Sequence, residues 1–299
     1  MRPRQWLKNL AVFAAPVLQG ILFEPGVLST TVLAFISFCF LASATYILND
    51  LVDLNRDLEH PVKKNRPIAS GKLPSWLAFG FAVIFYALGL FIAFTLVGTY
   101  FAVAGVTYIL LQVMYSLYFR SVIIMDALVV SSGFILRVFA GGLASDISIS
   151  SWLILTTIGL SLLLAFGKRR SEKTILRHHN IDAGTRETLR HYPDSLLDAI
   201  ISMSSSFCIM AYSLFTFQSS PVIKDSQIST LLPSILKSPK WMMFTIPIVI
   251  YGVARYLYII YEKKEGESPE RVLLSDTPLL FTVLLWVLSI FLIVYVLPS

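Results

Sequence analysis

Three aspartates near residue 50 carry the clearest chemical signal in the sequence. The segment reads Asn49-Asp50-Leu51-Val52-Asp53-Leu54-Asn55-Arg56-Asp57, so Asp50, Asp53 and Asp57 stand at i, i+3 and i+7 and share one face of a continued helix. Carboxylates about 6 Å apart repel by roughly 3 kcal/mol at an effective dielectric of 20, and by more where water is shut out. Such a face calls for a cation. Hard oxygen ligands at this spacing suit Mg²⁺, which takes one or two carboxylates, keeps several waters and bridges to substrate phosphates. A diphosphate leaving group is stabilised by such an ion as negative charge develops on it. The alternative is an acidic helix end that is merely solvated. Three aligned carboxylates with Asn49 at a membrane boundary favour the metal.

A second set of charges lies inside an apolar run. Asp126 and Arg137 are separated by close to three helical turns with Gly133 between them, which places all three on one face. A charge near mid-membrane costs about 2.5 to 3.5 kcal/mol on an insertion scale, so it usually faces a polar cavity or a partner. That face is expected to line the site. Asp126 could instead be a helix-terminal charge, and Arg137 a structural pair inside the bundle.

The elements that must position these residues follow from composition. Of 299 residues, 56% are hydrophobic and only 14% charged, a balance too apolar for the surface of a soluble domain. Crossing a hydrocarbon core of about 30 Å takes roughly 17 to 25 apolar residues. About nine such stretches are visible, near 8–23, 27–48, 74–95, 97–117, 121–143, 151–167, 196–217, 241–261 and 277–297. The expected fold is a single all-α polytopic membrane domain over 1–299, with charged cytoplasmic loops 49–73 and 168–195 forming its catalytic face. The turn Phe23-Glu24-Pro25-Gly26 leads straight into the second stretch, as in a retained helical hairpin rather than a cleaved signal.

Lys and Arg set the orientation. With the N-terminus inside, Arg56, Lys63, Lys64, Arg66, Lys72, Arg120, Lys168, Arg169, Arg170, Lys173, Arg177, Arg186, Arg190, Lys263, Lys264 and Arg271 fall inside, and the other side receives Lys224, Lys237 and Lys240. The expectation is an inner or plasma membrane protein with a cytoplasmic N-terminus and an outer C-terminus. The positive balance speaks for anionic substrates at the inner leaflet and gives no support to nucleic acid. Cys39 and Cys208 fall within apolar stretches, where they serve as small apolar residues. The stretch 262–270 reads as a solvated charge run, and Arg255 as a snorkelling side chain.

The motif Asn49-Asp50-x-x-Asp53-x-x-x-Asp57 resembles the first aspartate-rich motif of the UbiA-type intramembrane prenyltransferases, and Asn65-Arg66-Pro67-Ile68-Ala69-Ser70-Gly71-Lys72 resembles the stretch that follows it. The resemblance implies about nine helices around a central cavity open to the cytoplasmic side, an isoprenoid chain inside it and a metal diphosphate on the aspartates. Members usually carry a second aspartate-rich motif. Here the corresponding place reads Gly167-Lys168-Arg169-Arg170-Ser171-Glu172. Replacing carboxylates with cations argues for direct capture of phosphate by Arg forks and a Lys point charge, although the positive-inside bias alone also places cations there.

With the opening Arg2-Pro3-Arg4-Gln5-Trp6-Leu7-Lys8-Asn9, this resembles the branch that transfers phosphoribose from phosphoribosyl diphosphate to a polyprenyl phosphate. Tyr115-Ser116 and Arg120 resemble a Tyr-Ser-x-x-x-Lys element of that branch, with Arg120 replacing Lys. The implied substrate-binding set is Lys8, Asn9, Asn49, Lys64, Arg66, Lys72, Tyr115, Arg120, Asp126, Arg137, Lys168, Arg169, Arg170 and Glu172; Asp50, Asp53 and Asp57 are the catalytic, Mg²⁺-binding set. Two other readings stand beside it. One is an ordinary UbiA-type prenyltransferase moving an isoprenyl group to an aromatic acceptor; the other is a transporter without chemistry. Oligomeric state is not legible in the sequence.

Overall fold

The computed structural model describes residues 3–59, 63–178, 191–220, 240–263 and 269–297. Arg186, Arg190, Lys224, Lys237 and Lys264, and the side chains of Arg2, Arg4, Arg56, Lys63, Arg177 and Lys263, on which the orientation and opening-motif readings partly rest, lie outside the described set. The chain is helical. A 3₁₀ stretch, Pro3–Phe13, leads into α1 (Ala14–Leu18), followed by α2 (Val27–Val52), α3 (Leu54–Glu59), α4 (Ser75–Ile92), α5 (Thr99–Leu117), α6 (Met125–Ala144), α7 (Ser151–His178), α8 (Asp194–Gln218), α9 (Ile246–Tyr258), α10 (Pro269–Ser275) and α11 (Thr277–Phe291).

Among the described residues, 8 helices are long and apolar enough to cross a membrane. They match every expected stretch except the first. The opening segment differs because it is wound as a 3₁₀ helix. At about 2.0 Å per residue there and about 1.5 Å in α1, the pair still reaches about 30 Å. The 3₁₀ winding also stacks every third side chain on one face. Accordingly Trp6 donates to Ser43 Oγ at 3.1 Å, Asn9 donates to Cys39 Sγ at 3.2 Å, and Val12 is fully buried. Cys39 and Ser43 are one turn apart on α2, so the two faces meet in register.

α6 is the centre of the bundle. It contributes Ala127, Val138, and Ala140 with Ala144 to three separate apolar clusters. Of its most apolar window 56% is buried, against 22% for Ser75–Val97 and for Thr277–Val296, whose large apolar side chains face outward as a lipid-facing wall does. Small residues allow this central position. A Cβ on Gly141 would lie 1.9 Å from the Val12 carbonyl oxygen, and one on Gly159 would lie 2.7 Å from Cys208 Cα. Close backbone approach of this kind replaces the hydrophobic drive that lipid does not supply between helices.

Of the two charged segments expected as loops, residues 49–59 and 168–178 are helical, and residues 179–190 lie outside the described set. α2 and α3 carry residues 49–59 almost without a break, and α7 runs on from the membrane to His178. Both are explained by paired charges that satisfy the polar surface as the helix leaves the apolar layer.

Gly141→Ala should destabilise the protein by about 1 to 3 kcal/mol or more, because backbone rather than a flexible side chain must yield. Gly80→Ala, with nothing within 4 Å of the added carbon, should be neutral or slightly stabilising. Thermal unfolding in detergent of the two variants checks this pair.

Candidate active site

The acidic motif sits where α2 passes into α3. The Asp53 N–H donates to the Asn49 carbonyl at 3.0 Å and the Asp57 N–H to the Asp53 carbonyl at 2.8 Å, so the turn continues and the carboxylates keep their helical spacing. Arg66 Nη1 donates to Asp50 Oδ1 at 3.0 Å and to Asp57 Oδ2 at 2.6 Å. One nitrogen on two carboxylates means that Asp50 and Asp57 converge on a single point. Asp53 is drawn instead to Arg120, which arrives from the 3₁₀ turn Phe119–Ser121. Asn49 Oδ1 accepts from Ser116 Oγ at 2.5 Å. Repulsion among the carboxylates is thereby answered by two guanidinium groups from outside the motif. Among the described residues no three His, Cys, Asp or Glu side chains form a ready metal cage: Asp50 and Asp57 share Arg66, and Asp53 meets Arg120.

A second polar layer lies under the α5–α6 corner. Asp126, fully buried in the first turn of α6, accepts from Arg169 Nε at 2.5 Å and from the Tyr192 hydroxyl at 2.6 Å. Arg169 also donates to Glu172 at 2.8 Å and to the Tyr115 hydroxyl at 3.5 Å. Tyr115 and Ser116 belong to the last turn of α5 rather than to a loop. Because α7 is helical, the side chains of Lys168, Arg169 and Arg170 leave its axis about 100° apart. Lys168 faces Glu172 at 3.7 Å, Arg169 faces the interior, and Arg170 donates to Asp198 at 2.8 Å while lying over the Tyr261 ring. Lys168 and Arg169 thus share Glu172, whereas Arg170 is turned to Asp198. Of the three, Lys168 is the most exposed and Arg169 is almost wholly enclosed.

The opening segment brings two further groups. Lys8 pairs with Glu270 at 3.3 Å, and Gln5 donates to the same carboxylate. Glu270 is 8% exposed, so the part of 262–270 that is described at α10 is not a solvated run; residues 264–268 lie outside the described set. Burial by itself would raise the Glu270 carboxyl. Lys8, the hydrogen bonds and more distant Lys168 outweigh it and hold the group below its usual range. Asn9 Oδ1 accepts from Arg137 Nε at 2.7 Å, and Arg137 also donates to the Gly133 carbonyl at 2.6 Å and the Tyr108 hydroxyl at 3.1 Å, with its guanidinium 4.8 Å from the Tyr108 ring centre. The predicted face of α6 thus divides: Asp126 joins the cations of α7, whereas Arg137 is held by neutral groups deeper in the bundle.

Lys64 and Lys72 are exposed beside the Arg66 segment. Arg255 forks onto Asp276 at 3.0 and 2.9 Å, a role more definite than snorkelling. A concavity of about 350 Å³ lined by Phe244, Thr245, Ser289 and Leu292 lies at the other ends of α9 and α11 from that pair and is apolar, so it is distinct from the charged site. Sequence reasoning missed Gln5, Tyr108, Tyr192, Asp198 and Glu270. Tyr192 carried no periodic signal. Glu270 had one available signal, a Pro269-Glu270 helix start, which the neighbouring charges obscured.

Residues 11–169 match the UbiA prenyltransferase family. The chain is 36% identical to the decaprenyl-phosphate phosphoribosyltransferase of Corynebacterium glutamicum, covering 100% of this chain and 86% of that protein. It is 32% identical to the decaprenyl-phosphate phosphoribosyltransferase of Mycobacterium tuberculosis, covering 97% and 91%. A solved UbiA homolog from Archaeoglobus fulgidus bound to GPP and Mg²⁺ superposes with a TM-score of 0.69 at 19% identity, over 98% of this chain and 97% of that one, a likeness of fold.

A carboxyl held below its usual range lends stability that is complete above the unfolded value, near 4.5 for Glu, and is lost as pH falls through the lower folded value. The melting temperature should therefore drop as pH is taken from about 5 towards 3. Glu270→Gln should flatten that part of the profile while leaving the profile near neutrality parallel to the parent's.

Proposed function

Because the chain belongs to the UbiA prenyltransferase family, we propose that it transfers the 5-phosphoribosyl group of phosphoribosyl diphosphate to a polyprenyl phosphate and releases diphosphate. The observation that carries this reading is the end-to-end similarity to decaprenyl-phosphate phosphoribosyltransferases, at 36% and 32% identity. Arg and Lys in place of a second carboxylate motif support it, since the two substrates carry several phosphates between them.

The donor set at the acidic motif fits Mg²⁺. Asp50 and Asp57 already address one position that carries positive charge, and Asp53, three residues after Asp50, is the third carboxylate of the proposed set. Two carboxylates with room for waters and phosphate oxygens match what Mg²⁺ takes. When bound, Mg²⁺ supplies charge neutralisation to the departing diphosphate. Arg66 and Arg120, one contact away from the carboxylates, are placed to share the same phosphates. Lys8, Lys64, Lys72 and Lys168 complete the cationic rim for the 5-phosphate and the lipid head group, with Arg169, Arg170 and Glu172 behind them. Asn9, Asn49, Tyr115, Asp126 and Arg137 form the polar floor.

A lipid phosphate oxygen attacks the anomeric carbon, the carbon–oxygen bond to diphosphate breaks, and the centre inverts. No general base is required. A phosphate ester is already ionised near pH 7, so the chain's work is to position two anions against each other and screen their repulsion. The orientation that suits this chemistry has the acidic motif, the α5–α6 corner and α10 at the cytoplasmic boundary of the membrane, with the isoprenoid tail among the helices.

Purified protein in detergent with Mg²⁺ should form lipid-linked label from labelled phosphoribosyl diphosphate and polyprenyl phosphate. Label formed only from isoprenyl diphosphate and an aromatic acceptor would assign ordinary prenyl transfer instead. Asp53→Ala should lower kcat/KM by about 100-fold or more in the folded protein, and should also lower the melting temperature because Arg120 loses its counterion. Full activity in that variant would take Asp53 out of the metal set.

A further inference from the structure

We infer that Tyr192 is a positioning residue for the diphosphate site, holding Arg120 and Arg169 in place through the turn at Ile124 and the carboxylate of Asp126. The inference rests on the proposed function only in taking Arg120 and Arg169 to act on phosphate groups.

The turn that carries these residues is strained. Ile124 has φ 69° and ψ −48°, a region that a β-branched residue rarely enters. Strain of this kind persists where surrounding contacts over-determine it. Here the contact is the Tyr192 hydroxyl, which accepts the Ile124 N–H at 2.6 Å and donates to Asp126 Oδ1 at 2.6 Å. The Ile124 carbonyl accepts the N–H groups of Ala127 and Leu128 at 3.0 Å and so starts α6. Where Ile124 goes, Arg120 and Asp126 follow, since they flank it by four and two residues.

The phenol itself is anchored. Tyr192 is 1% exposed, its carbonyl accepts from Lys173 of α7, and Asp194 pairs with the same ammonium at 2.8 Å. Lys173, basic though it is, serves this strap. Burial and the adjacent Asp126 carboxylate push the phenol well above its usual range, which keeps the donor proton on the ring oxygen. A hydroxyl is the side-chain group that donates and accepts at one atom. One oxygen therefore joins the corner bearing Arg120, which meets Asp53, to the pair Asp126 and Arg169 beneath it.

Tyr192→Phe keeps the ring among its apolar neighbours and removes both bonds. The test measures calorimetric affinity for magnesium diphosphate, together with KM for phosphoribosyl diphosphate, KM for polyprenyl phosphate and melting temperature. The expected result is about tenfold weaker diphosphate binding and a similar rise in the first KM, with the lipid KM within about twofold. In an Asp126→Asn background the same change should have a smaller effect than in the parent, because one of the hydroxyl's two routes is already gone. Ile124→Gly, which relaxes the turn while leaving Tyr192 intact, should also weaken diphosphate binding. A purely structural tyrosine would lower the melting temperature and leave the affinity of the folded protein unchanged. Unchanged affinity in both Tyr192→Phe and Ile124→Gly, or full multiplicative effects with Asp126→Asn, overturns the inference. Parent protein that fails to turn over phosphoribosyl diphosphate while Tyr192→Phe still weakens diphosphate binding overturns the donor assignment alone.

Discussion

A charge carried to the edge of a hydrocarbon layer must meet its opposite, because the alternative is to leave it in a medium that screens it poorly. The architecture at one end of this bundle follows from that demand. Asp50 and Asp57 meet Arg66, Asp53 meets Arg120, Asp126 meets Arg169, Glu270 meets Lys8, and Asp276 meets Arg255. Each pair joins different elements. Pairing therefore does more than lower the cost of burial: it fixes how the corners of the bundle sit against each other. The Lys8–Glu270 pair ties the opening segment to α10, and the Asp53–Arg120 pair ties the end of α2 to the α5–α6 corner.

Breaking such a pair leaves a charge without its counterpart and is far costlier than never having built it. That asymmetry gives the polar end of the molecule a defined geometry in a fold whose remaining contacts are apolar and less directional. α6 is where the two kinds of constraint join. Its Gly141 admits the backbone of the opening segment, and its first turn carries Asp126 into the charged layer. Arg137 departs from the pattern. Its charge is met by carbonyl, amide and phenol oxygens and by the faces of aromatic rings, a neutral solution suited to greater depth.

Much of the fold is legible in the order of the residues. Apolar runs of membrane-crossing length mark the eight long helices among the described residues, all but the far end of α7 to within a few residues, because in lipid the backbone must satisfy itself and a helix is the simplest way to do so. The opening segment is legible as apolar but not as 3₁₀, since that winding depends on meeting α2 and Gly141. Residues 168–178 read as a loop because they are charged, yet they continue α7, for their charges find partners across the fold.

The spacing of Asp50, Asp53 and Asp57, the position of Arg66 after them and the cations at 168–170 are in the sequence itself, because residue type and helical period are local properties. Which carboxylate each cation would meet is not. Arg169 and Arg170 are neighbours in the chain and reach different partners, while Tyr192 and Ile124 are 68 residues apart and share a hydrogen bond. Pairings of that kind are decided by how helices pack. A burial demand can be read from composition, but the identity of the group that answers it exists only once distant elements have been brought together.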